Sequence, residues 1–437
     1  MSTQKMHEMN GIPCPCGKTH SFSADVVVGK GVIARLPEYI EKYKGTRVFL
    51  LSDKNTYAAA GEAVTGVLKA AGIPYSSYSF PVDALEPDEQ AVGSAAMHFD
   101  RKSDIIVCVG SGVLNDIAKI LSNLTQLPYI IVGTAPSMDG YASASSSMTR
   151  DGLKISLPSR SADVIIGDTD ILCQAPLHMM KAGLGDMLAK YVSICEWRIA
   201  HLICGEYYCE EIADLIRSAL KRCADNAEGL LRRDEEAVQA VFEGLVIGGV
   251  AMNYAGLSRP ASGVEHYISH VLDMRGAEYG TPVELHGIQC AIGTLIAASL
   301  YEKVKAITPN KEKALAYAAA FDKESWNETL RQLLGKGAES MIALEAKEGK
   351  YDVQKHGPRL EIILNNWDTI LAIVNEEIPS LETLNGIFDT IEAPKTLAEI
   401  GIDESLLPTV FRATKDIRDK YVLSRLAWDL GILEELI

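Results

Sequence analysis

Six short runs favouring extended backbone, DVVVG, RVFLLSD, PYSSYSF, DIIVCVG, PYIIVGT and DVIIGD, recur through the first 168 residues, and helix-patterned segments separate them. Strand runs alternating with helical patterns predict parallel strands joined by crossover helices. From DTDILCQAP onward such runs cease, and helix formers dominate segments such as CEEIADLIRSALKRCADNAEGLL and EEAVQAVFEGLVIGGVAMNYAG. The pattern therefore predicts an α/β domain with a mostly parallel sheet over residues 1–168. An all-helical domain is expected over residues 169–437. No repeat, low-complexity tract or flexible linker interrupts the chain.

Composition narrows the partners. With 437 residues and 47% hydrophobic content the chain can bury more than one core. A net charge of −16 and a pI near 5.1 argue against nucleic acid or an anionic membrane, both of which need a concentrated basic face. No apolar run approaches the roughly 18 residues of a membrane span. The start MSTQKMHEMNG lacks a signal peptide's apolar stretch, so a cytoplasmic location is expected. Nine cysteines, an odd number scattered from Cys14 to Cys290, fit reduced thiols better than a disulfide framework.

Several loops carry candidate chemistry. GIPCPCGKT fails as a Walker A loop, because five residues separate Gly11 from Gly17 where four are required. Cys14, Cys16 and His20 offer three potential metal ligands without a second cluster, so a turn bearing thiols is the simpler expectation. In DVVVGKGVIARL, Gly29, Gly31 and Ala34 fit G-x-G-x-x-A, and Asp53 ends the next strand, where it could accept bonds from an adenosine ribose. A competing loop in DIIVCVGSGVLNDIAKIL sets Gly110 and Gly112 between a buried strand and a helix, a place where backbone N–H groups can hold a pyrophosphate. After the next strand comes GTAPSMDGYASASSSM, a polar loop expected outside the carboxyl ends of the strands. Thr134, Ser137 and Ser143 offer it hydroxyls for a phosphate or nicotinamide amide, and Asp139 an acceptor for a substrate hydroxyl.

The histidines in SGVEHYISHVLDM and PVELHGIQ raise a metal question. His266 and His270 lie one helical turn apart, as in HExxH, but Tyr267, Ile268 and Ser269 lie between them, so the general-base glutamate is missing. Glu265 precedes the pair and points about 100° away on a helix. His286 follows twenty residues after His266. Asp186, after Gly183 and Gly185 in KAGLGDMLAKY, is expected to open an amphipathic helix. It reads either as a helix-start carboxylate or as the oxygen ligand that joins His266 and His286 around an open coordination position. Arg259, just before the histidine helix, reads either as a phosphate-binding fork or as an ion-pair partner.

VGSGVLNDIAK, GTAPSMDGYAS, GLGDMLAKY, SRPASGVEHYISH and ELHG occur in the order found in glycerol-1-phosphate dehydrogenases, and over most of residues 24–300 the chain resembles the bacterial branch of that family. These enzymes belong with the dehydroquinate synthases and iron-type alcohol dehydrogenases. The resemblance implies that Gly110, Ser111, Gly112, Val113 and Leu114, the turn Thr134, Ala135, Pro136 and Ser137, and Ser143 bind NAD or NADP. It implies a substrate role for Asp139, a shared metal and substrate role for Asp186, metal ligation by His266 and His286, and a substrate contact at His270. It also implies one divalent ion, zinc or nickel ahead of iron, a triose phosphate substrate, and a homo-oligomer, dimer or larger. The implied reaction is reversible hydride transfer between NAD(P)H and dihydroxyacetone phosphate. A glycerol or other polyol dehydrogenase, a dehydroquinate synthase-like lyase and a silent metal- or nucleotide-binding regulator are the rivals. Beyond about residue 340 the chain offers no motif.

Overall fold

A computed structural model describes residues 2–150, 153–281 and 283–437. Among the described residues there are eight strands: β1 (Asp25–Gly29), β2 (Val48–Asp53), β3 (Tyr75–Phe80), β4 (Ile105–Gly110), β5 (Tyr129–Gly133), β6 (Ser145–Arg150), β7 (Leu153–Pro158) and β8 (Val164–Asp168). Six of them form one sheet in the order β1-β8-β5-β4-β2-β3, every neighbouring pair parallel. Each is one of the six runs anticipated above. The central strands β4, β5 and β8 are buried at every residue, as a parallel strand covered on both faces must be. The serine-rich stretch departs from expectation. Part of it is not loop but β6, paired antiparallel with β7, with Ser146 opposite Leu157 and Met148 opposite Ile155. Its inward residues are Ser146 and Met148, so the period-two signal is carried by one small hydroxyl and one methionine.

The chain forms two compact units that alternate along the sequence: Met1–Met187 with Asp214–Leu257, and Leu188–Ala213 with Ser258–Ile437. In the first, helix α1 (Gly112–Thr125) follows β4 and helix α2 (Leu177–Leu188) follows the sheet. A third helix, α3 (Glu235–Ala255), is long and apolar enough to cross a membrane by length and composition, which the sequence reading did not anticipate. Its apolar surface is already used, since 83% of its most apolar window is buried. Phe242 on α3 lies over the sheet so closely that a Cβ at Gly133 or Gly167 would fall 2.8 or 2.3 Å from its ring. Those two glycines flatten the ends of β5 and β8 for the aromatic ring.

The second unit is helical among its described residues. Its centre is the pair α4 (Val264–Tyr279) and α5 (His286–Lys305). Gly293 on α5 packs on α4 backbone, where an added Cβ would lie 2.7 Å from the Glu265 carbonyl oxygen. The last hundred residues supply helices to this unit and a brace: Lys420 donates to the Ser258 and Ser262 carbonyls at 3.2 and 2.7 Å, holding the loop that enters α4.

Candidate active site

In the first unit β4 ends at Gly110 and α1 begins at Gly112, with Ser111 as N-cap giving no side-chain capping bond. The first N–H groups of a helix have no intrahelical acceptor, so those of Gly112, Val113 and Leu114 are suited to an anion. A Cβ on Gly110 would sit 2.6 Å from that of Leu114, which fixes the tightness of this turn. Thr134 N–H donates to the Gly110 carbonyl at 3.1 Å and so places the Thr134–Ser137 turn beside the glycine loop.

The loop after it is organised by Lys119, whose ammonium has no solvent exposure. It donates to the carbonyls of Gly140 (2.6 Å) and Ser145 (3.0 Å) and to the Ser143 hydroxyl (3.2 Å), and lies 3.4 Å from Asp116. Burial lowers its pKa, and Asp116 opposes that shift. Ser143 in turn donates to the Ser145 carbonyl. Nothing in the hydrophobic pattern distinguishes Lys119 from a solvated lysine; only its i+3 spacing from Asp116 hints at it.

Asp186 is not at a helix start. It lies in the last turn of α2, with Gly183 and Gly185 inside the same helix. The reason is a close approach: a Cβ on Gly183 would lie 1.9 Å from the Pro136 carbonyl oxygen. Gly183 therefore lets α2 dock against the Thr134–Ser137 turn rather than break the helix. A carboxylate near a helix C-terminus gains nothing from the dipole, which removes the capping explanation for Asp186. Asp186 is fully buried and accepts a 2.9 Å bond from the Asp139 N–H, so the two sequence-predicted acids are neighbours.

In the second unit the close packing of α4 on α5 brings the His266 and His286 rings to 5.0 Å, and His270 stacks on His286 at 5.6 Å. Sequence reasoning set Glu265 aside, yet its Oε1 lies 2.8 Å from His266 Nδ1 and also accepts from Gly263 N–H. An oxygen that takes two such bonds is an acceptor, so Nδ1 is the donor of this pair. Ser269 Oγ lies 2.9 Å from His286 Nδ1. Engagement of one ring nitrogen by an outer partner is the usual support of a metal-bound imidazole. Donor atoms of His266, His286 and Cys290 lie within 4.8 Å of one another, and so do those of His270, Asp273 and His286. Burial opposes ionisation of the Cys290 thiol, but the two imidazoles outweigh it and lower its pKa. Behind Glu265 stands Glu196, also buried, which accepts from the Val264 and Leu423 N–H groups. Burial first, then the charge of Glu265, raises the Glu196 pKa.

Similarity to known proteins gives these features a context. A glycerol-1-phosphate dehydrogenase [NAD(P)+] of Halalkalibacterium halodurans is 33% identical over 294 residues, 66% of this chain and 74% of that one. The chain belongs to the glycerol-1-phosphate dehydrogenase family. An archaeal member from Methanosarcina mazei is also 33% identical, over 63% of this chain and 76% of its own. Residues 27–176 of the dehydrogenase match the family model described as iron-containing alcohol dehydrogenase. The fold is shared with a probable glycerol dehydrogenase from Sinorhizobium meliloti (TM-score 0.59, 18% identity, 95% of this chain and 98% of that one). It is shared too with a 1,3-propanediol oxidoreductase (TM-score 0.60, 15% identity, 96% and 100%). NAD(P) and a metal ion fit this family, and a small molecule fits as substrate.

Two sequence candidates in the dehydrogenase have other work. Asp53 is the N-cap of the short turn after β2, accepting from Thr56 N–H at 2.7 Å, so only its second carboxylate oxygen remains for a ribose. Arg259 is buried, with Nε and Nη2 on Glu206 (2.7 and 2.5 Å) and Nη1 on the Tyr421 carbonyl (2.8 Å). The fork is spent on that pair, which overturns the phosphate reading of Arg259. Its replacement by alanine strands Glu206 and the carbonyl, and is expected to destabilise the fold by about 2–4 kcal/mol. The effect on KM should be the same for phosphorylated and unphosphorylated ketones. Denaturant unfolding and paired kinetics check this.

Proposed function

We propose that the chain catalyses reversible hydride transfer between NAD(P)H and C2 of dihydroxyacetone phosphate, giving sn-glycerol 1-phosphate. The observation that carries this reading is the imidazole pair His266 and His286, each with Nδ1 engaged by a neighbour, in a chain of this family. Two neutral imidazoles and the Asp186 carboxylate make a nitrogen and oxygen donor set that suits zinc, nickel or ferrous iron. When bound, the metal supplies Lewis acidity at the ketone and the nicotinamide supplies the hydride. Glu265 and Ser269 hold the two ligand rings in one tautomer and orientation. Amide groups at the start of α1 bind the pyrophosphate, and the Thr134–Ser137 turn and Ser143 orient the nicotinamide end. Asp139 positions a substrate hydroxyl, and His270 delivers the proton taken up by the C2 oxygen. The same reading makes the enzyme a cytoplasmic homo-oligomer with no nucleic-acid or membrane partner. NADH is its preferred reductant to the extent that Asp53 reaches the ribose.

The test is a set of initial rates of NADH and NADPH oxidation with dihydroxyacetone phosphate, dihydroxyacetone and a keto-sugar phosphate. Dihydroxyacetone phosphate is expected to lead in kcat/KM by at least about tenfold. A lead for dihydroxyacetone would assign the chain to polyol oxidation instead.

A further inference from the structure

The Cys14, Cys16 and His20 stretch has no part in that reaction. Residues 10–22 form a pinned hairpin within the first unit. Asn10 and Phe22 exchange two bonds of 2.9 and 2.8 Å, Gly11 N–H donates to the His20 carbonyl, and Pro13 bridges Thr19. At the tip, Cys14 N–H donates to the Lys18 carbonyl (2.8 Å) and Gly17 N–H to the Cys14 carbonyl (2.9 Å). Gly17 there takes φ +85°, a left-handed conformation that glycine adopts without strain. The result is that one donor atom from each of Cys14, Cys16 and His20 lies within 4.8 Å of the others, with Cys16 Sγ 3.4 Å from His20 Nε2. In a tetrahedral zinc site two thiolates and an imidazole nitrogen stand roughly 3.5–3.8 Å apart, given Zn–S near 2.3 Å and Zn–N near 2.0 Å.

The imidazole is also prepared. His20 is 2% exposed, and its Nδ1 lies 3.0 Å from the carbonyl of Tyr254 in the last turn of α3. A carbonyl can only accept, so Nδ1 carries the proton and the Nε2 lone pair faces the thiols. That outer bond to a backbone carbonyl is the one metal-ligating histidines make. A turn bearing thiols, the simpler expectation from sequence, gives no reason for a buried and oriented imidazole beside two cysteines.

We propose that Cys14, Cys16 and His20 bind a structural zinc ion, distinct from the metal of the dehydrogenase reaction. On binding, the two thiols release their protons to solvent, and the neutral imidazole binds through Nε2, so three of four tetrahedral positions are filled by this hairpin. The ion ties the N-terminal segment to the end of α3. This inference stands apart from the hydride-transfer reading and can fail separately from it.

The test uses the full chain, expressed with zinc and purified without chelator, with metal content measured by mass spectrometry and X-ray absorption. Wild type is expected to hold about two ions per chain, and the His286→Ala protein about one. The ion left in His286→Ala should show sulfur neighbours near 2.3 Å. The Cys14→Ser/Cys16→Ser protein should lose that ion, keep kcat, and melt at a lower temperature. Should that variant fail to fold, mercurial titration of the native thiols gives the same answer by releasing zinc in step with loss of two thiols. Zinc in His286→Ala with only nitrogen and oxygen neighbours would overturn the proposal. So would an unchanged metal count in the double serine variant, or recovery of Cys14 and Cys16 as a disulfide.

Discussion

The His286→Ala protein is expected to purify without its catalytic metal and to lose turnover by on the order of a thousandfold or more, since Lewis-acid stabilisation is worth several kcal/mol. His270→Ala should keep that metal and lose turnover alone. On a helical wheel His270 looks as good a ligand as His266, because the two share a face. His286 lies 5.0 Å from His266 with its Nδ1 on Ser269, and His270 stacks on His286 at 5.6 Å. Glu265→Gln should sit between the two, weakening metal affinity roughly 10–100-fold because it removes the charge that polarises His266 Nδ1–H. Metal content, kcat and apparent metal affinity, measured on all three variants, check the order. Equal metal loss in His270→Ala and His286→Ala would defeat it.

Gly183→Ala carries the second large effect. Its new methyl would fall 1.9 Å from the Pro136 carbonyl oxygen and 2.7 Å from the carbonyl carbon, and neither backbone atom can rotate away as a side chain can. Either α2 or the Thr134–Ser137 turn must move. The expected cost is about 3 kcal/mol or more, the upper range for overpacking. Protein that survives should show a raised KM for the dinucleotide, because the turn proposed to hold it has shifted. Gly66→Ala is the control: it is helical, and nothing lies within 4 Å of its added Cβ, so stability should hold or rise. A Gly183→Ala protein with unchanged melting temperature and KM would refute the close approach.

The strands were legible because each central one is buried on both faces and therefore spelled as an unbroken apolar run. The β6–β7 hairpin was not, since Ser146 and Met148 give its inner face no such spelling. The candidate ligands His266, His286 and Asp186 were found by residue type, order and resemblance, whereas their supports were hidden. Glu265 leaves the helix about 100° from His266, yet its side chain is long enough to curl back to Nδ1, which a wheel of Cα positions does not show. Gly183 was read as punctuation before a helix because glycine usually marks a boundary. Only the position of Pro136 reveals it as a packing site inside one. Arg259 illustrates the reverse: proximity in sequence to a histidine helix suggested a ligand, and the acid that claims it, Glu206, lies more than fifty residues earlier.

The alternation of the two units along the chain bears on how this gene can be cut and recombined. A fragment that stops after Met187 keeps all eight strands but lacks α3, and with it the Phe242 ring that covers Gly133 and Gly167. It would expose bare backbone at the ends of two central strands and should aggregate rather than fold. The first unit could be exchanged between relatives only by carrying Asp214–Leu257 along with it. Chimeras with a single crossover near residue 187 are therefore poor starting points for engineering cofactor preference, and two-segment transplants are the sounder choice.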